Sequence, residues 1–148
     1  MSHHSRILCH LIIHTKDCKN SLPQEQRTLL YSAFEQLAEE KHCHVLCIDG
    51  TDNHVHLLCE LHPDVSPGEL IRKLKGASTV WLRGSKKFPA FDDWANGYTI
   101  VSCGLQDEKA VRKLIAGQEK YHRRRDFSEE LRDLLKDYAI PVDERFFP

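Results

Sequence analysis

The chain has 148 residues, 41% of them hydrophobic, with 21 basic and 22 acidic side chains and a formal charge of −1. That length suits a single domain spanning 1–148 with a substantial core, and near-neutrality excludes a uniformly basic nucleic-acid coat while allowing local basic faces. The most apolar stretch, Ile7 to Ile13, is too short to cross a bilayer and contains His10. The opening Met-Ser-His-His-Ser-Arg has no apolar stretch and no small-residue cleavage site, so a cytoplasmic protein without membrane contact is expected.

Arg6 to Thr15 is rich in β-forming residues and predicts a first strand. Leu22-Pro23 opens a helix on which Leu29, Leu30, Ala33, Phe34 and Leu37 recur at helical spacing to about Lys41. Cys43 to Ile48 predicts a second strand. Asp49-Gly50-Thr51-Asp52-Asn53 reads as a turn, and His54 to Leu61 as a third strand paired with the second. Ser66-Pro67-Gly68-Glu69 matches a capping box with proline at the first helical position. Leu70, Ile71, Leu74, Ala77, Val80 and Trp81 continue the apolar side of that helix. A loop from Gly84 to Asn96 is anchored by Trp94, and Tyr98 to Cys103 predicts a fourth strand. Asp107 caps a helix carrying Val111, Leu114, Ile115 and Gln118. A short helix from about Ser128 to Tyr138 and an extended Pro141 to Pro148 tail follow.

The order β-α-β-β-α-β with further helices defines an α+β class of ferredoxin-like split arrangement: an antiparallel sheet with helices on one face, plus C-terminal helices. That fold hosts many functions, so function must be read from the site. Six cysteines, at positions 9, 18, 43, 47, 59 and 103, include no Cys-x-x-Cys. Cys9, Cys47, Cys59 and Cys103 lie inside apolar runs, where a reduced thiol acts as a small hydrophobe.

His54-Val55-His56 places two imidazoles on one strand face, where they can converge on a cation while Val55, Leu57 and Cys59 enter the core. With ten histidines in the chain, chance alone supplies about 0.6 His-x-His pairs. The second pair, His42-Cys43-His44, falls at a helix-to-strand boundary. Placement separates the two: His54 and His56 begin a strand directly after a polar turn. His10 and His14 share a strand face and extend the same surface. A divalent ion held there could polarise a phosphodiester during in-line attack by a nucleophile.

Asn53-His54-Val55-His56-Leu57-Leu58, Leu70-Ile71-Arg72-Lys73-Leu74-Lys75-Gly76, Gly97-Tyr98 and Val111 to Glu119 resemble, in order and spacing, the single-tyrosine insertion-sequence transposases with a His-hydrophobic-His motif. The branch associated with repetitive extragenic palindromes is the most similar, and the resemblance runs from about residue 5 through Phe127-Ser128-Glu129-Glu130-Leu131. It implies a homodimer that binds DNA hairpins and cuts single strands beside them, without organic cofactor. It also implies Mg²⁺ or Mn²⁺ on His54, His56 and Gln118. The family's tyrosine nucleophile, four residues before the glutamine, falls on Leu114, which cannot attack phosphorus. The resemblance therefore implies a DNA-binding protein with a metal site and impaired strand cleavage.

Two alternatives stay open. Tyr121 could substitute for the nucleophile, although it lies seven residues beyond Leu114, about 10.5 Å further along a straight helix axis; metal-bound water is a second attacking group. A non-catalytic DNA- or RNA-binding regulator is the other. Arg72, Lys73 and Lys75 with Arg83, Lys86 and Lys87 could grip hairpin phosphates, and Lys120, Arg123, Arg124 and Arg125 could track a single strand. Trp81 and Trp94 read as core rather than stacking platforms.

Overall fold

Alternation along β1 (Ile7–His14) sends Cys9, Leu11 and Ile13 to one face of a sheet and Leu8, His10, Ile12 and His14 to the other. In the computed structural model, which describes residues 4–122, 125–145 and 147–148, β1 pairs antiparallel with β3 (His54–Leu61) and with β4 (Thr99–Cys103). The hairpin partner of β3 is β2 (His44–Gly50), so the strand order is β2-β3-β1-β4. Four strands, all antiparallel, joined by crossing helices, reproduce the split arrangement expected from the element order. The β1–β3 register sets His14 opposite His54, Ile12 opposite His56 and His10 opposite Leu58.

Two long helices cover the first face. A 3₁₀ turn at Gln24–Gln26 leads into α1 (Arg27–Glu40), and α2 (Pro67–Gly84) packs beside it. Leu30, Phe34, Leu70 and Leu74 meet Leu11, Val55 and Leu57 there, each at most 1% exposed; burial of each such side chain contributes about 1.5–3 kcal/mol. Ser66 Oγ accepts the Glu69 N–H at 3.1 Å, the forward arm of the expected capping box. Val80, placed on the apolar side by periodicity, is instead 75% exposed. The buried position on that turn belongs to Ser78, whose Oγ accepts the Trp94 indole N–H at 2.9 Å. Trp94 is a core residue against Phe34, whereas Trp81 is half-buried and packs on that core against Phe88.

The C-terminal helices cover the second face. They are α3 (Glu108–Ala116), α4 (Gln118–Tyr121) and α5 (Phe127–Asp137). Val111 and Ile115 pack on Leu8, Leu58 and Cys103, while Phe127, Leu131 and Leu135 pack on Ile12.

Besides Val80, three local features depart from the sequence reading. Asp107 does not cap α3, because the 3₁₀ turn Leu105–Asp107 leaves its backbone near-helical and its side chain unable to reach back. The helix expected to run through Gln118 breaks at Gly117, whose φ and ψ are −96° and 15°. Tyr98 precedes β4 and is half exposed, its ring facing the Lys75 ammonium. The six cysteines are free thiols. No helix among the described residues is long and apolar enough to cross a membrane.

Candidate metal and nucleic-acid site

The site begins at the β2–β3 turn. A Cβ at Gly50 would collide with the His54 carbonyl oxygen, so only glycine lets the two strands close tightly enough to start β3 at His54. Alternation then turns His54 and His56 toward the C-terminal helices and sends Val55, Leu57 and Cys59 into the α1/α2 core, as expected. Both histidines are fully buried.

Three elements deliver polar groups onto the two rings. At the start of α4, Gln118 places Oε1 2.9 Å from His54 Nε2. Its amide donates to Glu130 Oε2 at 2.9 Å and to the Leu114 carbonyl at 3.3 Å, which fixes which end of the side chain faces the histidines. From α5, Glu130 sets Oε1 2.8 Å from His56 Nε2 and 3.5 Å from His54 Nε2. His122, just past α4, brings Nε2 to 3.1 Å from Gln118 Oε1 and 3.4 Å from Glu130 Oε1. Gln118 and Glu130 are buried, and Phe127 stacks on the His54 ring with centroids 4.2 Å apart.

The far sides of the two rings are also held. His54 Nδ1 lies 2.7 Å from Asn53 Oδ1 and 3.0 Å from Thr51 Oγ1, so the β2–β3 turn holds the outer side of the ring while Nε2 faces the Gln118 and Glu130 oxygens. His56 Nδ1 lies 2.8 Å from His10 Nε2. Burial pushes His10 down to about 3, with His56 adding to the effect, and pushes His54 down to about 4 against the pull of Glu130. His14, beside His54 in the register, is likewise lowered to about 4 by burial. Burial raises the Glu130 carboxyl, but the histidines bonded to it outweigh that effect and hold it far below the usual carboxylate range. The result is an anionic oxygen set against imidazole nitrogens and an amide oxygen, a donor set that suits a divalent cation. His54, His122 and Glu130 each offer a ligand atom within 4.8 Å of the others.

The positions assigned from sequence divide clearly. His54, His56 and Gln118 come together, with Leu114 one turn before Gln118. Leu114 and Tyr121 line a shared open cavity of about 360 Å³ with Lys113, Gly117, Lys120 and Arg125. Burial, then Glu130, raises the Tyr121 phenol pKa. Arg72, Lys73, Lys75, Arg83, Lys86 and Lys87 belong to α2 or the loop after it, in the layer on the opposite face of the sheet from the imidazoles. Several have internal partners: Lys73 pairs with Glu40 at 2.8 Å, Lys75 donates to the Ala95 and Gly97 carbonyls, and Arg83 donates to the Asp92 carbonyl. Arg72, Lys86 and Lys87 are exposed. Lys120 is exposed on the cavity wall, and Arg125 pairs with Asp133 at 2.7 Å. Arg123 and Arg124 lie outside the described residues.

Glu130 and His122 were not singled out from sequence as site residues. A signal for Glu130 existed: it falls three residues after Phe127 and four before Leu134, on the apolar face of α5, where a carboxylate needs a buried partner.

Residues 3–118 match the family model described as "Transposase IS200 like". The transposase for insertion sequence element IS200 of Salmonella typhimurium strain LT2 is 27% identical over 113 residues, spanning 72% of this chain and 74% of that protein; the Salmonella typhi counterpart gives the same figures. Among solved structures, a candidate transposase from Deinococcus radiodurans R1 superposes with a TM-score of 0.61 at 20% identity, covering 80% of this chain and 95% of that one. A REP-associated tyrosine transposase bound to a REP hairpin superposes with a TM-score of 0.63 at 15% identity, covering 82% and 74%.

Proposed function

The chain belongs to the IS200-like transposase family, and on that premise we propose that it binds hairpin-bearing single-stranded DNA through a cation-holding site but does not cut by tyrosine attack. The observation that carries this reading is the carbonyl of Leu114 bonded to the Gln118 amide while Gln118 Oε1 faces His54. The residue one turn before the glutamine has no nucleophilic atom. A covalent step at that position needs a hydroxyl to attack phosphorus, and an alkyl side chain supplies none.

His54, His56 and Gln118 would hold the divalent cation, Mg²⁺ or Mn²⁺. The ion would supply positive charge to a phosphodiester oxygen. The chain's own residues do the rest. Asn53 and His10 orient the imidazoles, and Phe127 shields His54 from water. Lys113 and Lys120 flank the cavity beside Leu114, where backbone phosphates would be neutralised. Arg72, Lys86 and Lys87 offer a second, separate phosphate-binding face. The working form is a homodimer in the cytoplasm, with DNA as the partner.

A second reading has Tyr121 replace the missing nucleophile, and it draws on the cavity that Tyr121 shares with Leu114. The raised phenol pKa weighs against it, because less phenolate is present at neutral pH. Covalent trapping separates the two. Wild-type protein is incubated with hairpin-flanked single-stranded DNA and Mn²⁺, then resolved on a denaturing gel. No adduct is expected. An adduct that Tyr121→Phe abolishes would replace the first reading with the second.

A further inference from the structure

Gly97-Tyr98, one of the sequence elements that carry the family resemblance, takes no part in the site above. The loop holding it is tied down on both sides of Asn96. The Ala95 N–H donates to the His14 carbonyl at 2.9 Å, and the Lys75 ammonium donates to the Ala95 carbonyl at 2.8 Å and to the Gly97 carbonyl. Gly97 adopts a φ of +83°, where a side chain would be strained. Trp94, at the start of the loop, is buried and bonded to Ser78. Between these anchors the Asn96 amide is exposed and has no partner among the described residues.

Asn96 borders a cavity of about 250 Å³, distinct from the one beside Leu114. Ile12, Phe127 and Leu131 give it apolar lining, and His14 and Tyr98 add rings with polar atoms. Phe127 is the wall it shares with the cation site: the Phe127 ring centroid lies 4.2 Å from that of His54 and 5.3 Å from that of His14. We propose that His14, Asn96 and Tyr98 receive one unpaired nucleobase of the bound strand, the base next to the phosphate at the His54/His56 site. The proposal rests on the single-stranded DNA binding put forward above and deepens it by naming where a base is selected.

The chemistry of the cavity fits that occupant. An unpaired base has two flat faces that stack on aromatic rings and an edge of hydrogen-bond donors and acceptors. The Asn96 amide offers both a donor and an acceptor to such an edge, and the His14 imidazole can add a bond. The volume lies below the about 300–1,000 Å³ of pockets for drug-sized ligands, which suits a single flat ring system. The site is also built in advance. The bonds to Ala95 and Gly97 hold Asn96 in place before a base arrives, so little ordering opposes binding. Lys75 is then a positioning residue for the pocket rather than a phosphate contact.

The experiment is fluorescence anisotropy of the full chain with Mn²⁺ and a labelled hairpin-bearing strand at fixed salt, repeated with one abasic site moved through each unpaired position. One position should stand out, where loss of the base lowers affinity about tenfold or more. Asn96→Ala and Tyr98→Leu should each lower affinity for the intact strand at least about threefold. Neither should lower it further on the strand that is abasic at that position. Asn96 is exposed, so its variant keeps the fold even if Tyr98→Leu does not. Equal weakening of intact and abasic strands by Asn96→Ala would mark a merely structural role and overturn the pocket, as would abasic strands that all bind alike; the DNA-binding reading would survive either result. No binding of the intact strand by the wild-type chain would overturn both.

Discussion

His10 Nε2 lies 2.8 Å from His56 Nδ1, joining two buried rings diagonally across the central strand pair. With the proton on His56 Nδ1, the His56 Nε2 lone pair faces the site; with the proton on His10 Nε2, His56 Nε2–H instead donates to Glu130. His10 thus sets which tautomer His56 presents. His10→Leu removes the acceptor at nearly constant volume. Metal affinity, measured by calorimetric titration, should fall about tenfold or more. Unchanged affinity would show that His10 does not position His56.

The C-terminal helix depends on its first turn. Asp126 Oδ1 accepts the Glu129 N–H at 2.8 Å, and Glu129 Oε1 accepts the Asp126 N–H at 3.4 Å, a full capping box. Asp126→Ala should cost about 1 kcal/mol and lower the melting temperature by about 2–4 °C. Because α5 carries Phe127 and Glu130, the loss should be larger with metal bound than after chelation. Equal losses in the two states would separate α5 from the metal centre.

Leu114 faces an open cavity, so a tyrosine fits there without repacking the core. If the missing hydroxyl is what stops cutting, Leu114→Tyr should give a covalent adduct on hairpin-flanked DNA with Mn²⁺, visible as a slow band on a denaturing gel. No adduct from that variant would place the block elsewhere than at position 114.

The two basic regions should behave differently. Lys120 is exposed beside Leu114 and Tyr121, whereas Lys73 is tied to Glu40 in the opposite layer. Lys120→Ala should weaken single-strand binding and reduce the slope of log affinity against log salt by about 1. Lys73→Ala should change neither. The reverse outcome, read from fluorescence anisotropy at several salt concentrations, would move the DNA track to the α1/α2 side.

Much of this was legible in the sequence because it depends on local rules. Period-two alternation placed His54 and His56 on one face, turn residues placed the hairpin, and Ser66-Pro67 placed the start of α2. The Gln118 relation to Leu114 follows from one helical turn, and it survives the break at Gly117 because the Gln118 amide still reaches the Leu114 carbonyl. Glu130 was harder to find. It meets His56 from 74 positions away, and local periodicity does not reveal which buried histidine faces a given helix. The absent Asp107 cap has a similar origin: the residue type was right, but a preceding 3₁₀ turn withheld the extended backbone that a cap requires. Lys73, Lys75 and Arg83 read as a free basic face because their partners, Glu40 and the carbonyls of 92–97, belong to other segments.

The most direct test of the central claim is the affinity of the wild-type chain for a labelled single strand carrying a hairpin, compared with an equally long strand without one. Salt is held fixed, and the strand is recovered afterwards and sized. Tighter binding to the hairpin strand, with that strand recovered intact and free of protein, is the predicted result. Equal affinity for both strands, or a hairpin strand recovered cut, would contradict the account.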